Sequence, residues 1–164
     1  MTLTAPRPLT ADCELDAFDC GEPSLNDWLR RRALANHLAG ASRTFVVCDG
    51  ARVVGYHALA TGALAPTVAT GRFRRNMPDP IPVVVLARLA VDRDHGGRGI
   101  GRALVRDAAL RVLQVAEVVG VRGLIVHALT PRAARFYLDL GFDPSPIDDT
   151  TLMISIADLA AAPA

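Results

Sequence analysis

The stretch His95-Gly96-Gly97-Arg98-Gly99-Ile100-Gly101-Arg102-Ala103-Leu104 decides how the chain is read. It follows a strand-like run, Val83 to Val91, and opens a helix-like run, Gly101 to Gly120. Four glycines in so short a span let the backbone approach a ligand closely and take angles that a side chain forbids. A helix beginning directly after such a loop presents unpaired N–H groups and the positive end of its dipole. The pattern predicts a phosphate cradle, with Arg98 and Arg102 adding charge; ordinary loop chemistry is the alternative.

Two common phosphate motifs do not fit. The dinucleotide fingerprint needs a third glycine, but the required position holds Arg102 or Leu104, depending on where the count starts. The P-loop ends in Gly-Lys-Ser/Thr, and this chain of 164 residues contains no lysine. Length suits a single domain spanning 1–164 with its own hydrophobic core. No apolar run reaches the roughly 18 residues that span a bilayer, and Met1 to Asp12 lacks the apolar segment of a secretory signal. Cys13, Cys20 and Cys48 are odd in number and lack metal-ligand spacing, so they read as free thiols of a cytoplasmic protein that binds no metal.

Net charge is +1, but it is unevenly spread. Between Ser24 and Arg75 stand eight arginines against only Asp27 and Asp49, whereas Asp139 to Asp158 holds five aspartates and no base. A basic half of this kind can meet a nucleic-acid backbone, or its arginines can be solvated on separate faces.

In chain order, residues 1–23 read as irregular, with one short strand near Pro8 to Leu15. Ser24 is placed as the N-cap of a helix that Gly40 ends. Asp49-Gly50-Ala51 between two apolar runs predicts a β-hairpin of Thr44 to Cys48 with Arg52 to Leu59. Gly62 to Pro82 reads as a long polar connection, of a length that is usually functional or mobile. Val83 to Val91 is continuously apolar except for Arg88, which predicts a strand buried on both faces and an arginine in need of a partner or an aqueous cleft. Gly123 to Ala128 is a further strand, Thr130-Pro131 starts the next helix, and residues 150–156 form a last strand. Hairpin, then strand–helix–strand–helix–strand, implies an α/β domain of three layers around a mixed sheet.

Two motifs carry a family resemblance. The glycine loop resembles the acyl-coenzyme A loop of the GNAT acetyltransferases, Gln/Arg-x-x-Gly-x-Gly/Ala, with Gly99 and Gly101 at the glycine positions and Gly96 departing from Gln/Arg. Ala133-x-x-Phe136-Tyr137-x-x-x-Gly141-Phe142 is similar to the superfamily's closing helix. Further matches point to its toxin branch, the TacT/AtaT-type acetyltransferases of type II toxin–antitoxin pairs. They include Phe18-Asp-Cys-Gly21, Leu25-x-x-Trp-Leu29, Ser42-Arg-Thr-Phe-Val46, Val53-Val-Gly-Tyr56, Arg74-Arg-Asn76, Ile81-Pro82, Arg88-Leu-Ala-Val-Asp92, Val126-His-Ala128 and Pro144-Ser-Pro146.

The resemblance implies the GNAT fold, with a mostly antiparallel mixed sheet, and transfer of acetyl from acetyl-CoA to the α-amino group of aminoacyl-tRNA, which blocks translation. It implies acetyl-CoA contacts from Leu89, Ala90, Val91, Gly96, Gly97, Arg98, Gly99, Ile100, Gly101, Arg102, Thr130, Ala133 and Phe136, with Tyr137 as catalytic residue. An α-amino group titrates at about 8, so a strong protein base is not required, whereas the departing thiolate needs a donor such as the Tyr137 phenol. His57 and His127 read as structural residues rather than bases. Arg72, Arg74 and Arg75 lead the expected tRNA contacts, followed by Arg30, Arg31 and Arg88. Implied partners are a ribbon-helix-helix antitoxin, operator DNA reached only through it, and a second copy of the chain; no membrane is expected. Two rivals remain: an acetyltransferase acting on a small amine or protein N-terminus, and a non-enzymatic coenzyme A-binding or repressor-accessory module.

Overall fold

The computed structural model describes residues 2–162. In chain order the elements are β1 (Arg7–Pro8), α1 (Pro23–Trp28), a π-helical turn (Leu29–Ala33), α2 (Leu34–Ala39), β2 (Arg43–Asp49), β3 (Arg52–Leu64), α3 (Gly71–Arg74) and β4 (Ile81–Val91). They continue with a 3-10 turn (Arg93–His95), α4 (Ile100–Ala116), β5 (Gly123–His127), α5 (Pro131–Asp139), β6 (Asp143–Pro144), β7 (Thr151–Ser155) and α6 (Ile156–Ala161). The strands pair in the order β1-β2-β3-β4-β5-β7-β6. β4 and β5 run parallel, in register Val84 with Leu124. β1/β2, β2/β3, β5/β7 and β6/β7 are antiparallel. The sheet is therefore mixed and mostly antiparallel, as expected.

The described residues form two compact units, one of the segment up to Ala60 with Ala87–Ala108, the other of Thr61–Leu86 with the segment from Ala109 onward. In the first, the Asp49-Gly50 turn joins β2 to β3 as expected, with Gly50 at φ +63°. One core cluster packs Phe18, Leu29, Ala33, Val46, Val53 and Tyr56. A second packs Val47 and Val54 against Ile100 and Leu104 of α4. Gly55 makes the seating of α4 possible: a Cβ there would stand 2.8 Å from Ile100 Cγ2.

The first helical segment departs from expectation at its start and midway along. The helix begins at Pro23, with Glu22 rather than Ser24 as its N-cap and no side-chain cap bond. Proline takes the first turn, where its missing N–H costs nothing. The three consecutive arginines lie on the π turn Leu29–Ala33, which a 3.6-residue wheel does not anticipate. Gly40 ends the run in the left-handed region, φ +78°, as expected.

In the second unit, Gly62 to Leu64 belongs to β3 and Ile81 begins β4, so the expected long connection shrinks to residues 65–80. It is built rather than loose. Thr70 Oγ1 accepts from Phe73 N–H at 3.1 Å, capping α3. Phe73 is buried with Leu64, Ala69, Ile81, Val83, Ile125 and Met153. α4 ends at Ala116, short of Gly120, leaving Val118 exposed. Gly123 lies where β5 has no room for a side chain beside β7, since a Cβ would come within 2.1 Å of Ile154 O and 2.9 Å of Phe73 Cε1. Backbone cannot yield as a flexible side chain can. Gly123→Ala is therefore expected to lower stability by about 3 kcal/mol, read as a fall in the urea midpoint with unchanged slope.

Candidate active site

The donor-loop residues lie together in the first unit. β4 presents an exposed Ala87 between buried Leu86 and Ala90, with Arg88, Leu89 and Val91 half-buried, so the strand is not buried on both faces at this end. Asp92 follows at once and is almost wholly buried, at 1% exposure. Its carboxylate accepts from Asp19 N–H at 3.1 Å, Asp94 N–H at 2.9 Å and Arg52 Nη2 at 3.3 Å, and lies 3.3 Å from His95 Nδ1. Asp19 in turn accepts from Gly21 N–H and Asn26 Nδ2 and pairs with Arg93 at 2.6 Å. The foot of the glycine loop is thus tied to the 18–26 segment. From there Gly96, Gly97, Arg98 and Gly99 are exposed, Gly97 and Gly99 both at φ +76°, and Ile100 turns inward. Of the four glycines these two use a left-handed conformation that only glycine adopts freely. Ala103 N–H donates to Gly99 O at 3.0 Å, closing the first turn of α4. An exposed backbone loop leading into a 17-residue helix, flanked by exposed Arg98 and Arg102, suits a pyrophosphate.

Beside β4 lies an aromatic shelf. The Arg88 guanidinium sits 4.8 Å from the Trp28 ring centre, and Trp28 stacks on Tyr56 at 6.0 Å. Tyr56 donates its hydroxyl to Leu25 O at 2.8 Å. The partner that Arg88 needed is an indole face, with Nε buried and no hydrogen bond to it. Arg30 donates to Phe18 O and lies 3.8 Å from Asp27, so much of its capacity is taken. Arg31 and Arg32 are exposed, with no ion pair to another described residue. His57 is fully buried, its Nε2 at 2.8 Å from Asp107 Oδ2, in keeping with a structural role. Burial raises the pKa of the Cys20 and Cys48 thiols, which disfavours a reactive thiolate.

The second unit holds the closing-helix residues. Thr130 Oγ1 accepts from Ala133 N–H at 3.1 Å and Pro131 takes the first helical position, as expected. Tyr137 is 5% exposed, with edge-on rings of Phe136 at 5.2 Å and Phe142 at 5.5 Å. Burial pushes its phenol pKa up, so it stays protonated at neutral pH. His127, at the exposed end of β5, lies 3.0 Å from Thr151 Oγ1. Arg74 and Arg75 are exposed and form no ion pair with a described residue, whereas Arg72 pairs with Asp158 at 2.5 Å. Asp92 and His95 were missed in the sequence; the clue available there was an acid closing an apolar strand three residues before a histidine. Among the described residues no His/Cys/Asp/Glu group could hold a metal ion, and no helix is long and apolar enough to cross a membrane.

An exposed glycine loop between a central strand and a long helix suits the pyrophosphate of an acyl-coenzyme A donor. The Acetyltransferase (GNAT) domain family matches residues 40–144, and the chain belongs to it. It is 51% identical over 158 residues to a protein of Mycobacterium tuberculosis (strain ATCC 25618 / H37Rv) named tRNA-acetylating toxin, covering 96% of this chain and 95% of that one. The solved structure of AtaT complexed with acetyl-methionyl-tRNAfMet superposes with TM-score 0.89 at 32% identity, covering 98% of both chains. A Tyr-to-Phe mutant of AtaT bound to the C-terminus of the antitoxin AtaR and acetyl-CoA superposes with TM-score 0.83 at 32% identity, covering 98% of this chain and 97% of that one.

Asp92 supplies a test by titration. Burial opposes its charge, but hydrogen bonds from Asp19, Asp94 and His95 and the nearby Arg52 outweigh that, holding its carboxyl pKa below the usual range. A folded-state pKa below the unfolded one gives stabilisation that is complete above the unfolded value and lost as pH falls through the folded one. Urea midpoints should stay level down to about pH 4 and drop below it. Asp92→Asn should cost about 2 kcal/mol at pH 7 and flatten that acid limb.

Proposed function

We propose that the protein is a toxin that transfers acetyl from acetyl-CoA to the α-amino group of aminoacyl-tRNA, so that the blocked amine can no longer attack a peptidyl ester and translation stops. The observation that carries the reading is the 51% identity, over 96% of the chain, to a protein named tRNA-acetylating toxin. The chain's own residues supply a consistent chemistry, with residues 1–164 acting as one catalytic domain.

The glycine loop 96–101 and the N-terminus of α4 bind the pyrophosphate, with Arg98 and Arg102 adding charge. Backbone N–H groups of Leu89 to Val91 polarise the thioester carbonyl and stabilise the oxyanion formed when the neutral amine attacks. Ala133 and Phe136 line the path of the acyl donor, and Thr130 holds the start of their helix. Collapse of the tetrahedral adduct expels a thiolate, which takes a proton from the Tyr137 phenol, kept protonated by burial, and the proton that the attacking nitrogen sheds on becoming an amide passes through solvent to restore the phenol. Arg74 and Arg75 meet tRNA phosphates, assisted by Arg31 and by whatever charge Arg30 and Arg72 have to spare. Arg88, held on the Trp28 ring, faces the acceptor end. A ribbon-helix-helix antitoxin neutralises the enzyme and carries it to operator DNA, the active species is a homodimer, and the cytoplasm, where charged tRNA is found, is its compartment.

Acetyl transfer from labelled acetyl-CoA to total charged tRNA tests the reading: label should appear on aminoacyl-tRNA and not on small amines or protein N-termini. Tyr137→Phe is expected to lower kcat by roughly a hundredfold or more, to spare acetyl-CoA binding, and to abolish toxicity on expression in bacteria. Arg74→Glu with Arg75→Glu should abolish tRNA modification while acetyl-CoA affinity, read by calorimetry, stays at the wild-type value.

A further inference from the structure

We infer that Arg122 is a positioning residue for the α3 turn, holding its backbone so that Arg74 and Arg75 are presented already ordered. The inference rests on the reading above, in which those two arginines meet charged tRNA. A helix of four residues cannot satisfy all of its own last carbonyls: the turn that follows brings Met77 N–H to Arg74 O at 3.0 Å, leaving Arg72 O and Phe73 O for another donor to satisfy. Here a guanidinium from outside does so. Arg122 Nε donates to Phe73 O at 2.8 Å, and Arg122 Nη2 donates to Arg72 O at 2.9 Å. The same cation lies 5.9 Å from the Phe73 ring centre. Two neighbouring carbonyls, held by two nitrogens of one planar group, fix the orientation of the turn as well as its place.

Arg122 can act as an anchor because its own backbone is fixed. Its N–H donates to Pro82 O at 2.8 Å, at the start of β4, and its carbonyl accepts from Ile156 N–H at 2.9 Å. A second restraint is the Arg72–Asp158 ion pair, and a third is the buried Phe73 ring. Directly after these ties Arg74 closes the helix, Arg75 leaves it at φ −58° and ψ 125°, and Asn76 reverses the chain at φ +60°. The two exposed arginines therefore stand on a backbone clamped on one side and sharply turned on the other. Order established before binding need not be imposed by the ligand, and that ordering cost is the one preorganisation removes. No sequence motif marks Arg122; its partners lie 49 and 50 residues away.

The test is a double-mutant cycle on binding of charged tRNA and of acetyl-CoA. Arg122→Lys keeps the charge and the aliphatic stem but loses the fork that grips both carbonyls. In the wild-type background it should weaken tRNA binding about tenfold and leave acetyl-CoA affinity unchanged. In an Arg74→Ala/Arg75→Ala background the same substitution should produce no further loss, because nothing is left to position. An equal loss in both backgrounds would make Arg122 a direct contact or a general support and overturn the inference; so would unchanged tRNA affinity in the wild-type background. If Arg74→Ala/Arg75→Ala itself binds charged tRNA as tightly as wild type, the tRNA-facing reading of this turn fails, and this inference with it.

Discussion

A carboxylate that solvent barely reaches holds the donor side of this molecule together. Asp92 gathers two backbone N–H groups, a guanidinium nitrogen and an imidazole nitrogen. Those donors come from the 18–26 segment, from β3 and from the 3-10 turn that leads into the glycine loop. Burying a charge is costly unless it is paired and hydrogen-bonded, and Asp92 is both. Because the donors approach from separate parts of the chain, the carboxylate sets their mutual geometry. An exposed glycine loop has few contacts of its own, so its precision has to come from its ends. One end is Asp92 with His95; the other is Ile100 with Leu104, sunk between Val47 and Val54 and admitted by Gly55.

The parts that were legible in the sequence are those governed by neighbours along the chain. Asp49-Gly50 declares a hairpin, Thr130-Pro131 declares a helix start, and Gly40 declares a helix end, because each acts through its own φ, ψ or capping oxygen. Ser24 failed as an N-cap because Pro23, one residue earlier, already suits the first helical turn. The π turn escaped notice because Leu29 and Ala33 fit a 3.6-residue repeat almost as well as a wider one. α3 was missed because its stability comes from Phe73 packing and the Arg122 fork, both distant in sequence. The candidate site divides in the same way. The glycines and the Phe136-Tyr137 pair stand out as local patterns, whereas the Asp92 cluster and the Arg88–Trp28 contact exist only once distant segments meet.

The arginines show why a charge count is a poor guide to a charged surface. Of the eight between Ser24 and Arg75, Arg30 and Arg43 donate to backbone carbonyls, while Arg52 and Arg72 pair with carboxylates. Arg31, Arg32, Arg74 and Arg75 form no ion pair with a described residue. Half of the basic segment is thus scaffold. A planar cation with five donors serves equally well as a strut between carbonyls and as a ligand for phosphate.

That division of labour bears on selectivity. A surface densely covered with mobile cations attracts any polyanion, and ribosomal RNA and chromosomal DNA would outcompete a scarce substrate for it. In the Ser24–Arg75 segment the arginines left over are Arg31, Arg32, Arg74 and Arg75. Arg74 and Arg75 stand at the end of the α3 turn that Arg122 holds, and Arg31 and Arg32 on the π-helical turn Leu29–Ala33. In the proposed reading, cations carried on such held backbone gain little from bulk nucleic acid, and discrimination among RNAs rests on shape more than on total charge.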